Sequence, residues 1–142
     1  MKTAVIVLNY NSKEDTIRYV GQIKNYSCID VILVVDNKST NPGEFQELKQ
    51  LKDDKVYVIQ SDKNGGYSYG NNFGLKFLEA YGQTFDYVVI SNPDVEVSEE
   101  AFQLCFKELE ENEKVAVCAP LMLNRRREPY SKKLLENKNS WN

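Results

Sequence analysis

Apolar residues come in short dense runs along this chain, separated by longer amphipathic stretches. Thr3–Leu8 (TAVIVL) is β-branched and almost wholly apolar, which predicts a strand buried on both faces. Ser12 then offers a helix cap with Asp15 in the first turn, and Ile17, Val20, Ile23 and Tyr26 supply a helical stripe. A second apolar strand is predicted over Asp30–Val35, ending at Asp36. Asn41-Pro42 reads as a cap followed by proline at the first helical position, and Phe45, Leu48 and Leu51 continue a short helix. Val56–Ile59 makes a third strand, followed by a glycine-rich loop and a helix through Phe73, Phe77, Leu78 and Tyr81. Tyr87–Ile90 makes the fourth. After Asn92-Pro93-Asp94, Ser98 caps a helix whose apolar face is Phe102, Cys105, Phe106 and Leu109, and Val115–Ala119 is expected to close the set as a fifth strand.

Strands that are apolar on both faces, alternating with helices, predict an α/β fold: a mostly parallel sheet with helices on both faces. One domain is expected over residues 1–124. The polar, aperiodic stretch 125–142 is expected to be an irregular tail, fraying over Glu136–Asn142.

Composition narrows the chemistry. The 142 residues are 42% hydrophobic, enough for one domain with a real core, and carry a net charge of −3 with both signs interspersed. That balance argues against a nucleic-acid surface, and the short Arg125-Arg126-Arg127 cluster beside Glu128 reads as a solvated turn. No apolar run approaches the roughly 18 residues of a membrane span. The chain enters a strand pattern at once, without room for a signal peptide. Cys28, Cys105 and Cys118 lack metal-ligand spacing and are expected to be reduced thiols of a cytoplasmic protein. Histidine is absent, which excludes imidazole bases, His-based triads and His zinc sites. A metal would have to be held mostly by oxygen, which favours Mg²⁺ or Mn²⁺.

In an open parallel sheet, ligands bind outside the carboxyl ends of the strands. The residues after the first four strands are Asn9-Tyr10-Asn11, Asp36-Asn37, Ser61–Asn72 and Asn92–Asp94, all polar and rich in Asn, Asp and Gly. Each alone has an ordinary explanation as a turn. Together they mark one end of the sheet as a candidate site. The loop Asn64-Gly65-Gly66 through Gly74 lets backbone approach a ligand, and the helix after it offers free N–H groups to a phosphate. Neither a dinucleotide fingerprint nor a P-loop is present. Asn92 and Asp94 are two positions apart, so in extended geometry their side chains face one way, about 6–7 Å apart. That spacing suits a shared octahedral cation completed by waters and a diphosphate.

Four stretches taken in order, Val5–Asn11, Val34–Thr40, Asn64–Gly74 and Asn92–Val95, resemble the inverting nucleotide-sugar glycosyltransferases of family two, which have the GT-A fold. The likeness is greatest to rhamnosyltransferase-type members. This resemblance implies a role for each position. Asn9, Tyr10 and Asn11 would line the nucleoside pocket, and Asp36 would hold a uracil or thymine base. Asn64, Gly65 and Gly66, with Asn71 or Asn72, would frame the donor's sugar and phosphates. Asp94, aided by Asn92, would carry Mg²⁺ or Mn²⁺ on the diphosphate. The partners implied are a UDP- or dTDP-sugar and a saccharide or lipid-linked acceptor of cell-wall or polysaccharide synthesis, which would bring the protein to the cytoplasmic membrane face. Asn92 replaces the first carboxylate of the family's D-x-D motif, so metal affinity without nucleotide should be low. The family's general base comes from a second half beyond the metal motif. Here Glu128 and Glu136 are the available carboxylates, and neither is assigned as the base. The chain looks like the donor-binding half of a transferase, or a binding module that needs a partner for turnover.

Overall fold

Four of the five expected strands form, and all pair in parallel. They are β1 (Thr3–Asn9), β2 (Val31–Asp36), β3 (Val56–Gln60) and β4 (Tyr87–Ser91). Four helices accompany them: α1 (Lys13–Ile23), α2 (Glu44–Leu48), α3 (Gly66–Ala80) and α4 (Glu99–Glu111), with a 3-10 turn Lys49–Leu51 extending α2. The computed structural model describes residues 1–124 and 126–128. They fall into two units, Met1–Glu99 and a second beginning at Glu100. Apart from residues 126–128, the expected tail, with its frayed end Glu136–Asn142, lies outside the described residues.

The strand order is β3-β2-β1-β4. The chain steps outward from β1 to β2 to β3, then returns past β1 to form β4 at the other edge. With right-handed crossovers, α1 and α2 fall on one face and α3 on the other. On the α3 side, Ala4, Ile6, Leu8, Val31, Leu33 and Val35 pack with Leu78, flanked by Phe73 and Phe77. The register aligns Asn9 with Asp36 and Asp36 with Gln60, so these strand-end side groups lie abreast. Every residue of β1 and β2 is buried, as expected for a central parallel pair.

The differences from the expected pattern have local causes. The buried residues of α1 are Thr16, Tyr19, Val20 and Ile23, while Ile17 is 40% exposed. Thr16 can enter the core because its hydroxyl donates to Asn9 Oδ1 at 2.8 Å. Tyr26 lies beyond the helix and donates its hydroxyl to the Val97 carbonyl at 2.7 Å. The second helix starts two residues after Pro42, because Gly43 takes a left-handed φ of 77° between them.

More consequentially, α3 begins at Gly66, so most of the expected glycine-rich loop is helix. Two of its glycines serve packing. A Cβ at Gly70 would lie 2.4 Å from Leu8 Cδ1, and one at Gly74 would lie 3.0 Å from Val35 Cγ2. Their missing side chains let α3 close onto the sheet.

The fifth strand does not form. Val115–Ala119 has no strand pairing, and Val117 is 84% exposed. Strand propensity is realised only against a partner, and the second unit holds no strand among its described residues. Its helix α4 does bury Phe102 and Phe106, whose rings stack 6.2 Å apart. Among the described residues no helix is long and apolar enough to cross a membrane.

Candidate functional site

The carboxyl ends of the strands carry two distinct groups of polar residues. The first is a closed cluster between β1, β2 and α2. Asp36 is fully buried, with two donors on each carboxylate oxygen. Oδ1 accepts from Asn9 Nδ2 at 3.0 Å and from Ser39 Oγ at 2.5 Å. Oδ2 accepts from Gln60 Nε2 at 2.7 Å and from the Ser39 amide at 3.4 Å. Glu44 is also buried, and its Oε1 accepts from Asn9 Nδ2 at 2.8 Å and from the Ser12 amide at 2.9 Å. Asn41 Nδ2 supplies Glu44 Oε2 at 2.9 Å. Two carboxylates therefore share the Asn9 amide and are otherwise fed by neighbouring loops, which welds the β1–α1 and β2–α2 connections together. Asn11 adds to this weld. At φ 52° its Oδ1 accepts from the Thr40 and Asn41 amides at 2.9 and 3.0 Å, and its Nδ2 donates to Thr40 Oγ1 at 2.9 Å.

The second group lines an open cleft of about 400 Å³ at the point where the chain reverses between β1 and β4. Its floor is Leu8 and Asn37, and Tyr10 stands at the end of β1. Ser12 and Asp15 form the α1 rim, Asn64, Gly66 and Tyr67 the α3 rim, and Asn92-Pro93-Asp94 the β4 end. Reversal points of this kind are where open α/β sheets place ligands. The Tyr19 hydroxyl and Ser91 Oγ, 2.6 Å apart, tie α1 to the end of β4. Asp15 lies one turn before Tyr19 on the same face of the helix, and Asp94 lies three residues beyond Ser91.

The α3 rim is braced from below. Asn37 Nδ2 donates to Asn64 Oδ1 and to the Gly66 carbonyl, both at 3.1 Å, and Asn64 Oδ1 accepts from the Gly66 amide at 3.1 Å. The Tyr69 hydroxyl donates to Asp62, which holds that carboxyl below the usual range, and Lys63 Nζ sits 5.0 Å from the Tyr69 ring. Gly65 is required here, since a Cβ on it would strike the Tyr69 ring at 2.2 Å. Asn64 Oδ1 takes the first amide of α3, that of Gly66, while the first turn carries no acidic residue, so its positive dipole end has no carboxylate of its own to offset it.

The candidate residues thus separate. Tyr10, Asn64, Gly66, Asn92 and Asp94 meet in the cleft, whereas Asn9 and Asp36 sit in the closed cluster and Asn11 in the weld beside it. Asn71 is buried on α3, donating Nδ2 to the Tyr67 carbonyl at 3.1 Å, while its Oδ1 is buried without a partner among the described residues. Asn72 is exposed and lines a separate depression with Phe73 and Lys76. Of the cleft lining, Ser12 and Asp15 fall outside the strand-end stretches singled out in the sequence, while Asn37 and Tyr67 lie within them without an assigned role. Asp15 becomes visible only once α1 is rotated to bury Tyr19.

Among the described residues the lining includes two carboxylates, Asp15 and Asp94, and no Lys or Arg. Arg18 pairs with Asp15 at 2.9 Å from outside the lining. Oxygen donors of this kind, with the Asn92 amide beside them, fit a hard divalent cation rather than a soft one. No group of three acidic, His or Cys side chains placed to hold a metal occurs among the described residues.

The glycosyl transferase family 2 model matches residues 4–140. This chain belongs to glycosyl transferase family 2. Among curated relatives, the low-salt glycan biosynthesis hexosyltransferase Agl10 of Haloferax volcanii is 31% identical over 124 residues, covering 86% of this chain and 37% of the relative. The chain therefore spans just over a third of the length of that relative. Solved structures with the same GT-A-like fold include the mannosyltransferase PcManGT of Pyrobaculum calidifontis in complex with GDP-Man and Mn²⁺. It has a TM-score of 0.60 and 20% identity, over 76% of this chain and 32% of that one. S. aureus TarS 1–349 in complex with UDP-GlcNAc has a TM-score of 0.63 and 22% identity, over 80% and 32%. The α/β fold expected from the sequence is the one found.

Proposed function

We propose that this chain is the donor-binding part of an inverting glycosyltransferase. In this reading a hexosyl or deoxyhexosyl group passes from a UDP- or dTDP-sugar to a saccharide or lipid-linked acceptor at the cytoplasmic membrane face. The observation that carries the reading is the cleft at the β1–β4 reversal, with Asp94 and Asn92 at one end and no cationic side chain in its lining among the described residues. Asp15 is paired with Arg18, but Asp94 has no such partner among the described residues, so a diphosphate beside it calls for a counter-charge; Asp94 and Asn92 would hold Mg²⁺ or Mn²⁺ there. The cation supplies Lewis acidity that stabilises the leaving nucleoside diphosphate.

The chain's own residues position the donor. The amides of the first turn of α3 that follow Gly66 would face the phosphates, and Asn64, Gly65, Gly66 and Asn71 would frame them, with Asn72 turned outward. Tyr10 lies against the nucleoside. Asp36 keeps its assigned place at the nucleobase, with Gln60 Nε2, half-buried at the end of β3, as the donor that a base N–H would replace. The neighbours' ligands, GDP-Man with Mn²⁺ and UDP-GlcNAc, support a nucleotide sugar, and their different bases leave the choice of base to experiment.

Calorimetric titration of UDP, dTDP and GDP, with and without Mn²⁺, tests this directly. Binding of UDP or dTDP that depends on Mn²⁺ and drops at least about a hundredfold in Asp94→Ala, some 2.7 kcal/mol, is expected. Binding indifferent to metal or to Asp94 refutes the assignment. A second reading is a nucleotide-sugar-binding module that needs a second half or a partner for turnover. Sugar transfer to a supplied acceptor decides between the two.

A further inference from the structure

We propose that Tyr67 is a stacking platform for the sugar of the donor, distinct in role from Tyr10 across the same cleft. This deepens the donor-binding reading and rests on it. Both tyrosines line the cleft and are widely exposed, Tyr67 by 54% and Tyr10 by 42%. Neither hydroxyl has a hydrogen-bond partner among the described residues. A lone exposed tyrosine is unremarkable on a protein surface. What separates Tyr67 is the contrast between its backbone and its ring. The Gly66 carbonyl accepts from Asn37 Nδ2 and the Tyr67 carbonyl from Asn71 Nδ2, each at 3.1 Å, and Gly66 turns the chain at φ 85°. The backbone is thus pinned from both sides while the residue as a whole stays 54% exposed at the cleft. Fixing the main chain beneath a free aromatic face reduces the ordering cost when a ligand covers that face.

The chemistry of the cleft narrows what that ligand portion is. Diphosphate belongs with Asp94 and the amides of α3, and has no affinity for a ring face. The nucleobase belongs at the β2–β3 side, with Asp36 and Gln60. The remaining portion of a nucleotide sugar with apolar surface is the hexose, whose C–H face packs on an aromatic ring while its hydroxyls stay wet. Tyr67 therefore contributes to recognition of the sugar, and Tyr10 to that of the nucleoside.

The test is a comparison of two affinities measured with Mn²⁺: that for UDP or dTDP, and that for the same nucleotide carrying glucose, N-acetylglucosamine, galactose or rhamnose. The conjugate that the native chain binds most tightly is carried forward. Tyr67→Ala should weaken the conjugate about tenfold and the bare diphosphate less than twofold, and Tyr67→Phe should restore the conjugate, since the hydroxyl is unpartnered. Tyr10→Ala should weaken both equally. Equal losses in Tyr67→Ala, or none, overturn the platform while leaving the donor site intact. If the native chain binds neither diphosphate, the donor-binding reading fails and the platform fails with it.

Discussion

The closed cluster and the open cleft lie at the same end of the same sheet and are built from the same residue types, yet they differ in one physical respect. In the cluster, each oxygen of Asp36 has two donors from within the chain, and Glu44 is supplied on both oxygens. In the cleft, Asp94, Asn92 and the first turn of α3 face open space. Polar groups satisfied by the chain hold the loops in place, and polar groups left open are available to a ligand. The cluster is thus the scaffold on which the cleft stands, and in the proposed reading a nucleobase N–H would enter it only by replacing the half-buried Gln60 donor on Asp36 Oδ2.

The sharpest way to break this comparison is to remove one carboxylate from each side. Asp36→Ala strands the donors of Asn9, Ser39 and Gln60 in a buried site and should cost about 3 kcal/mol. That corresponds to a fall of on the order of 10 °C in the unfolding midpoint. Asp94→Ala removes no internal partner and should stay within about 0.5 kcal/mol of the native chain, while losing metal-dependent nucleotide binding. Urea unfolding of both variants measures the contrast. Equal stabilities would mean that burial and saturation at Asp36 do not distinguish it from Asp94.

Gly70→Ala attacks the scaffold from the other side of the sheet. Its Cβ would meet Leu8 Cδ1 at 2.4 Å and the Asn37 side chain at 3.1 Å, so α3 must lift or Leu8 must shift. Overpacking of this kind costs about 1–3 kcal/mol. Because Asn37 also holds the Asn64–Gly66 rim, nucleotide affinity should fall together with stability. A loss of stability with unchanged affinity would show the rim to be independent of the helix beneath it.

Gly70 also shows where sequence reasoning stops. Hydrophobic runs such as TAVIVL and VILVV were legible as central parallel strands because burial on both faces leaves no polar position in the pattern. The strand ends were legible as a site because the topology directs ligands there. The loop Asn64–Gly74 misled, since a glycine spared for backbone approach to a ligand and one spared for helix-to-sheet contact look identical in sequence. The fifth strand misled because Val115–Ala119 has the composition of a strand without a partner to pair with. Asp36 and Asp94 could not be told apart, because saturation depends on Gln60, Ser39 and Asn9, which are far apart in the chain and meet only once the register is set.

Asp53 refines the contrast by separating saturation from burial. It precedes β3 at the opposite end of the strands. It pairs with Lys24, and its Oδ1 accepts from the Lys55 and Val56 amides, both at 2.8 Å, yet its side chain remains one-third exposed. The Lys24 ammonium first, then these amides, hold its carboxyl down to about 2. A depressed acid stabilises the fold above its unfolded pKa, near 4, and that contribution is lost as pH falls through about 2. Asp53→Asn should therefore be less stable than the native chain at neutral pH, by less than about 1 kcal/mol because water and salt screen the pair. The difference should hold down to about pH 4, shrink to nothing near pH 2, and diminish in about 1 M salt at pH 7. A loss as large as that of Asp36→Ala would mean that hydrogen-bond saturation alone, without burial, makes a carboxylate indispensable to this fold.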